Sequence, residues 1–432
     1  MHTSLQGIAE KAKSHAKYRF RNLYGMLNEE LLTDCWRDIR KEAAYGVDEV
    51  SAQEYEQHLG ENIRQLVERL KRKSYRAKLV RRHYILKENG QLRPLGIPAV
   101  EDKLLQLAVT RLLTAIYEQE FLRCSYGYRP HMGALDAVDK LTIKRQFGRY
   151  NWVVEADIKG FFDHINHEWM IRMLAERIDD QALLWLIKKW LKAGVLDTDG
   201  QVLHPVTGTP QGGIISPILA NVYLHYALDL WFEQGVKRRC RGEACLIRYA
   251  DDFVCAFEKQ EDAERFYKAL GQRLGTFGLE LSAEKTRVIS FSRQPPVVKT
   301  SFEFLGFECR WGKDRAGKDH LNRRTSRTKL RNSLKRFTPW CKTNRHQRRG
   351  VLLARLNAKL RGYYNYYGVH GNFASLKQFF FSAMGILQKW RNRRRQRRSY
   401  TWAGYTELLT RFKVERPRIV GRPKTRLAAS RV

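Results

Sequence analysis

Tyr249-Ala250-Asp251-Asp252 sets two adjacent carboxylates between apolar runs, Cys245-Leu246-Ile247 before and Phe253-Val254-Cys255-Ala256-Phe257 after. That pattern predicts a β-hairpin with the acidic pair at its tip. A third carboxylate, Asp157, ends the apolar run Trp152-Val153-Val154-Glu155-Ala156, a predicted strand, and Phe161-Phe162-Asp163 follows at once. An Asp-Asp pair in a turn is often only a solvated hairpin tip. One strand-end Asp beside a two-Asp hairpin has a second use, because neighbouring strands of one sheet bring their ends together. Such carboxylates can hold two Mg²⁺ ions roughly 4 Å apart, the arrangement of two-metal phosphoryl transfer, with one ion activating the attacking hydroxyl and the other steadying the leaving group.

The charge balance supplies a polyanion for that chemistry. The chain has 432 residues and a formal net charge of +35. Residues 311–432 hold 33 Lys and Arg against 4 Asp and Glu, leaving a net of only +6 for everything before them. From His320 to Thr406 there is no acidic residue. A solvated helix face mixes both signs, and unpaired cations at this density repel one another unless a phosphate backbone neutralises them. The C-terminal third is therefore expected to bind nucleic acid.

Other classes are disfavoured. No apolar run approaches the ~20 residues of a membrane span. The N-terminus lacks the charged-then-apolar pattern of a secretory signal. Seven cysteines are scattered without a Cys-x-x-Cys pair, mostly among apolar neighbours. Reduced, buried thiols are expected, and a structural zinc site is not.

The elements that must position the carboxylates follow from periodicity. Residues 1–75 read mainly as helices, with a turn at Gly46-Val47-Asp48. Lys78 to Ile97 reads as short strands about a turn at Asn89-Gly90. Helical spacing returns from Lys103 to Phe121 and covers Trp169 to Ala193. A Gly- and Pro-rich loop then leads to a helix from about Pro217 to Glu233. After the hairpin come a helix from Glu261 to Gly275 and strands from Thr286 to Phe291 and Phe302 to Cys309. Beyond about Trp311 basic helices with interleaved aromatics are expected. There Tyr363, Tyr364, Tyr366 and Tyr367 serve either as packing residues or as stacking platforms for bases. The tail from Arg416 reads as irregular, ordered on its partner.

Eight ordered blocks then make a resemblance visible. They are Gly46-Val47-Asp48; Gly90-Gln91-Leu92-Arg93-Pro94-Leu95-Gly96-Ile97-Pro98; Ser125-Tyr126-Gly127-Tyr128-Arg129-Pro130; Ala156-Asp157-Ile158-Lys159-Gly160-Phe161-Phe162-Asp163; Gly208-Thr209-Pro210-Gln211-Gly212-Gly213, running on through Ser216-Pro217 to Asn221; Arg248-Tyr249-Ala250-Asp251-Asp252; Glu284-Lys285-Thr286; and Phe304-Leu305-Gly306-Phe307. Over nearly its whole length the chain resembles the reverse transcriptase/maturase proteins encoded by bacterial group II introns. The resemblance implies an α+β right-hand polymerase with fingers, a palm built on an antiparallel sheet, a helical thumb/maturase domain and a basic tail. Its boundaries would be 1–75 for an N-terminal extension and the start of the fingers, 76–312 for fingers and palm, 313–400 for thumb and maturase domain, and 401–432 for the tail.

The same resemblance assigns roles. Asp157, Asp251 and Asp252 would be catalytic, holding two Mg²⁺ ions with the Ile158 carbonyl. Lys87 and Arg93 would grip the dNTP triphosphate, and Phe162 would be the steric gate against a ribose 2′-OH. Gln211 and Gly212 would approach template and nucleotide, and Lys285 would protonate the pyrophosphate. Arg361, Arg391, Arg393, Arg394, Arg395, Arg397 and Arg398 would hold nucleic acid. The implied function is RNA-directed DNA synthesis, with binding of the intron RNA to assist splicing and copying of that RNA during retrohoming. The implied partners are the intron RNA and target DNA, with no membrane, in a bacterial cytoplasm and on the nucleoid.

Two departures stand out. The chain has no His after His370 and no Cys after Cys341, so the family's zinc-bearing endonuclease module is not expected, and Leu86 stands where the family usually has proline. Two alternatives remain open: a related polymerase working outside an intron in DNA repair or phage defence, and a non-enzymatic RNA-binding splicing factor.

Overall fold

The apolar runs on either side of Ala250 become paired strands of one sheet, and the run before Asp157 lies beside them. The computed structural model describes residues 4–86, 90–204, 206–209, 212–292, 300–313, 316–393 and 401–420. Its strands are β1 (Val80–Leu86), β2 (Leu92–Ile97), β3 (Trp152–Ala156), β4 (Val195–Leu196), β5 (Val202–Leu203), β6 (Ala244–Tyr249), β7 (Asp252–Phe257), β8 (Arg287–Ser290), β9 (Ser301–Phe304), β10 (Phe307–Lys313) and β11 (Asp319–Thr325). The chain divides into two units, residues 1–141 with 149–288, and residues 142–148 with 289–432.

The N-terminal unit holds a four-stranded sheet in the order β6-β7-β3-β8 and a second in the order β2-β1-β4-β5. β7 is buried from Phe253 to Phe257 without alternation, the pattern of a strand covered on both faces. Helix Val100–Tyr117 supplies much of the core, with Leu104, Leu105, Ala108, Val109, Leu112, Leu113 and Ile116 all fully buried. The expected hairpin about Asn89-Gly90 is present as β1 and β2, antiparallel with Leu86 opposite Leu92. Asn89 itself lies outside the described residues.

Two helices differ from expectation. The stretch from Trp169 to Ala193 is two helices, His167–Ala175 and Gln181–Leu191. The Asp180 carboxylate accepts from the Leu183 N–H and starts the second, a capping role that a purely periodic pattern hides. The helix after Pro217 is α-helical only from Ser216 to Leu224 and then widens into π turns over His225–Asp229 and Trp231–Val236.

The C-terminal unit carries the sheet β11-β10-β9 and the helices Arg327–Asn344, Arg349–Tyr367, Phe373–Asn392 and Trp402–Arg411. Its longer segment runs from Ile289, and the short segment 142–148 joins it. β11, Asp319-His320-Leu321-Asn322-Arg323-Arg324-Thr325, lies where basic helices are expected, and its mostly polar residues carry little strand signal. It pairs with all of β10, from Phe307 opposite Thr325 to Lys313 opposite Asp319. The tyrosine cluster packs inward: Tyr364 is fully buried, Tyr363 stacks on Phe379 at 3.7 Å, and Tyr366 stacks on Phe307 at 5.7 Å. Tail residues 413–420 are tied to the helix Arg349–Tyr367, with the Val420 N–H donating to the Gly368 carbonyl. All seven cysteines are free thiols, and six are buried. Among the described residues no helix is long and apolar enough to cross a membrane.

Candidate active site

The sheet register decides where the acidic side chains meet. β3 runs antiparallel to β7 with Ala156 opposite Phe253, and β6 runs antiparallel to β7 with Tyr249 opposite Asp252. Asp157 therefore leaves β3 level with Asp252, and Asp251 sits in the two-residue turn beside them. The next residue, Ile158, bridges Leu281. The two bonds flanking that bridge belong to its neighbours: the Lys159 N–H donates to the Glu280 carbonyl, and the Asp157 carbonyl accepts from Ser282. In an antiparallel pair this alternation turns the Ile158 carbonyl the other way, toward β7 and the hairpin.

The turn itself is tightly held. Ala250 has φ +57° and is 6 % exposed. Glycine usually takes the first central position of such a turn, so this backbone is strained. Gly127 backs it so closely that a Cβ there would lie 2.3 Å from the Ala250 nitrogen. Behind the turn stands a buried charged network. The Arg248 guanidinium donates to both Asp229 carboxylate oxygens at 2.8 and 2.5 Å, to Asn221 Oδ1 at 3.1 Å and to the Ala250 carbonyl at 3.0 Å. Arg248 and Asp229 are wholly inaccessible to solvent. The Asn221 amide in turn donates to the Gly127 carbonyl at 2.7 Å. One network thus fixes both the turn and the segment packed on it. These positioning residues were not anticipated. Their signal was Asn221, His225 and Asp229, polar residues four apart on an otherwise apolar helix.

The electrostatics around Asp251 converge. Burial raises its carboxyl above the ordinary range and the neighbouring Asp157 adds to that, while its own backbone N–H, Arg93 and Arg248 act in the opposite sense. Lys285 Nζ lies 2.8 Å from Asp157 Oδ2, and this bond raises the lysine further than burial lowers it. Tyr128 is also raised, first by burial and then by Asp251. Lys285, expected near the substrate, is thus bonded to Asp157, and the charge of Arg93 is felt at Asp251. Among the described residues no group of three His, Cys, Asp or Glu side chains is arranged to hold a metal ion by itself. What fits a hard divalent cation is Asp157, Asp251 and the Ile158 carbonyl, an all-oxygen donor set. An ammonium already rests on one of these oxygens.

Phe162 belongs to a 3-10 turn, Phe161–Asp163, that follows Gly160 at φ +55°. Its ring meets Phe161 edge-on at 5.3 Å, and 8 % of the residue is exposed. Its carbonyl accepts from the Thr209 N–H at 2.8 Å. That bond sets Thr209 beside it. Gly212 lies at φ +116° with its Cα side against the backbone of β2, where a Cβ would be 2.6 Å from the Gly96 carbonyl oxygen. Only glycine permits that approach. Lys87 and Gln211 lie outside the described residues.

The expected basic surface divides. Arg361 is exposed and pairs with Glu415 at 3.3 Å, and Arg393 is exposed beside the Trp390 ring. Arg391 departs from expectation: it is 4 % exposed and donates to the Arg345 carbonyl at 2.9 Å. A guanidinium committed to loop carbonyls closes the packing between helices and is not offered to phosphate. Arg394, Arg395, Arg397 and Arg398 lie outside the described residues.

Residues 85–309 match the family model described as reverse transcriptase (RNA-dependent DNA polymerase). The chain is 32 % identical over 403 residues to the group II intron-encoded protein LtrA of Lactococcus lactis subsp. cremoris, covering 74 % of this chain and 65 % of LtrA. It is 32 % identical over 320 residues to protein YkfC of Escherichia coli, covering 66 % of this chain and 81 % of YkfC. It is also 40 % identical over 171 residues to an uncharacterised 91 kDa protein in the cob intron of Schizosaccharomyces pombe, covering 40 % of this chain and 21 % of that one. The chain thus spans about 65 % of the length of LtrA.

Proposed function

The chain belongs to the reverse transcriptase family in its group II intron-encoded branch, and from that premise we propose that it copies RNA into DNA and binds the folded RNA of its parent intron. The observation that carries the proposal is the meeting of Asp157, Asp251 and Lys285 at the strand ends of one sheet inside the matched region, with the charge of Arg93 acting on Asp251.

Asp157 and Asp251, with the Ile158 carbonyl, would hold two Mg²⁺ ions, and these supply Lewis-acid charge to the primer 3′-hydroxyl and to the triphosphate. Asp252, at the exposed start of β7, supports the site from the outer side of the turn. Arg93 brings a fixed positive charge toward the incoming triphosphate. Lys285, paired with Asp157, would carry a proton at Nζ for the leaving pyrophosphate. Gly212 lets the loop backbone approach template and nucleotide closely, and Phe162 presents its exposed edge to the sugar. The Arg248–Asp229 network holds the Ala250 carbonyl and spares the turn from reorganising during catalysis.

In the C-terminal unit, exposed Arg361 and Arg393, with Arg394, Arg395, Arg397 and Arg398 of the same run, would grip the phosphates of intron RNA and target DNA, giving a salt-dependent clamp that assists splicing and retrohoming. Such a protein would work in a bacterial cytoplasm and on the nucleoid. The test is primer extension on an RNA template with Mg²⁺ and dNTPs. Wild type is expected to make full-length cDNA and Asp251→Ala essentially none. A wild type without cDNA, or a variant making as much, overturns the proposal.

A further inference from the structure

Away from the strands that carry the aspartates, the N-terminal unit has a cavity of about 480 Å³ over the outer face of the helix Gln181–Leu191. That volume suits a small-molecule or single-nucleotide site, for which ~300–1,000 Å³ is usual. Gln181, Trp185 and Lys188 recur at i, i+4 and i+7 and line it together with Leu184 and Leu186, while Leu183, Ile187, Trp190 and Leu191 are buried beneath. Trp185 is 56 % exposed, a large aromatic surface left to water. The Lys189 ammonium stands 3.8 Å from its ring centroid. Lys73 and Lys188 also line the cavity, and none of its lining residues is acidic.

The walls are preformed. Lys189 Nζ donates to the Tyr75 carbonyl at 2.6 Å. The Tyr75 hydroxyl donates to Asp102 at 2.5 Å and accepts from Trp190 Nε1 at 3.0 Å. On the other side the Tyr24 hydroxyl donates to the Leu70 carbonyl at 3.0 Å. A rigid indole plane, two exposed ammonium groups and a side-chain amide able both to donate and to accept match the parts of one nucleotide: a base to stack, a phosphate to neutralise and a base edge to read. An apolar side chain of a protein partner would fill the aromatic part alone and leave the ammonium groups of Lys73 and Lys188 without an anion.

We propose that this cavity binds one unstacked nucleotide of single-stranded RNA, with its base on the face of Trp185 away from Lys189 and its phosphate between Lys73 and Lys188. The site deepens the reading of the protein as an RNA-engaging polymerase, on which it rests. It gives the N-terminal unit an RNA contact separate from template and primer.

The probe is an oligouridylate carrying 4-thiouridine, crosslinked to the full chain by long-wavelength light, with the adducts located by peptide mass spectrometry. The expected result is an adduct in the peptide 181–191 that survives Trp185→Phe and falls at least about tenfold in Trp185→Ala, the loss of one base-stacking contact. Lys188→Gln should flatten the salt dependence of that crosslink by about one unit of slope. No adduct in this peptide, or one equally strong in Trp185→Ala, overturns the site. Uridine monophosphate that abolishes the adduct at the same nucleotide concentration as unlabelled oligouridylate assigns the cavity to a free nucleotide and overturns the RNA assignment. Primer extension by the same preparations separates the two readings: Trp185→Ala should make cDNA at the wild-type rate, and a wild type that makes none refutes the polymerase while leaving the crosslink to decide the cavity.

Discussion

Removing Asp229 tests the network behind the catalytic turn. Asp229→Ala leaves the Arg248 guanidinium wholly buried with two of its bonds, those of 2.8 and 2.5 Å, unmade. Each hydrogen bond to a buried charge is worth ~1.5–3 kcal/mol, and breaking one partner of a buried ion pair costs ~3–5 kcal/mol, so the two routes agree on roughly 4 kcal/mol. With a urea slope of about 2–3 kcal/mol per M, the midpoint of the N-terminal unit should fall by about 1.5–2 M. The double variant Asp229→Leu/Arg248→Met separates stability from function. Replacing both charges by apolar groups is often nearly neutral, so its stability should return to within about 2 kcal/mol of wild type, the residue being the Asn221 oxygen left without its donor. Yet the bond to the Ala250 carbonyl is gone, and single-nucleotide extension should stay at least about tenfold slow, the equivalent of ~1.4 kcal/mol of positioning. Urea titration followed by circular dichroism, and single-turnover extension on the same samples, read the two effects. A double variant that folds and extends at the wild-type rate would refute the positioning role. An Asp229→Ala cost below about 1 kcal/mol would refute the burial reasoning.

Three further outcomes follow from neighbouring residues. Gly127→Ala should fold but extend primers at least about tenfold more slowly, because its Cβ would stand 2.3 Å from the Ala250 nitrogen and the turn must shift; unchanged single-turnover rates would contradict this. His225 is held down to about 4, chiefly by burial, so the native state binds fewer protons than the unfolded chain between that value and about 6.5. Stability should therefore be full above pH 6.5 and fall by about 3 kcal/mol as pH drops to 4, and His225→Phe, which removes a ring whose Nδ1 has no partner, should flatten that slope in urea midpoints. Phe162→Val should raise ribonucleotide incorporation relative to deoxynucleotide by at least about tenfold in competition assays, and unchanged sugar discrimination would remove Phe162 from the gate.

The positions of the candidate carboxylates were legible because strand ends, hairpin tips and apolar runs leave short-range marks. Asp157 and Asp251 each close such a run, and the paired strands β3, β7 and β6 join them as the pattern required. Gly212 is expected to approach template and nucleotide, whereas the close approach the structure shows is to Gly96 of β2, which no short-range mark in the sequence announces. Three things were hidden. β11 is polar on both faces, so alternation gave no signal, and only its pairing with β10 makes it a strand. The π turns over His225–Asp229 look like ordinary helix in sequence, yet they are the stretch that carries Asp229 to Arg248. Arg391 is one cation in a run of many, and no count of charge distinguishes an arginine bound to helix-end carbonyls from one facing solvent. The tyrosine cluster was undecided between packing and stacking, and its contacts with Phe379 and Phe307 settle it as packing.

The central claim is that carboxylates from two separate strands share one metal site, and metal-directed main-chain cleavage tests it most directly. With Fe²⁺ in place of Mg²⁺, ascorbate and peroxide cut the chain beside the bound ion, and the fragments are sized by mass spectrometry. Cuts are predicted at 156–158 and at 250–252 together, competed away by Mg²⁺, with both sets lost in either Asp157→Ala or Asp251→Ala. Cuts at one segment that persist when the other aspartate is removed would contradict the shared site.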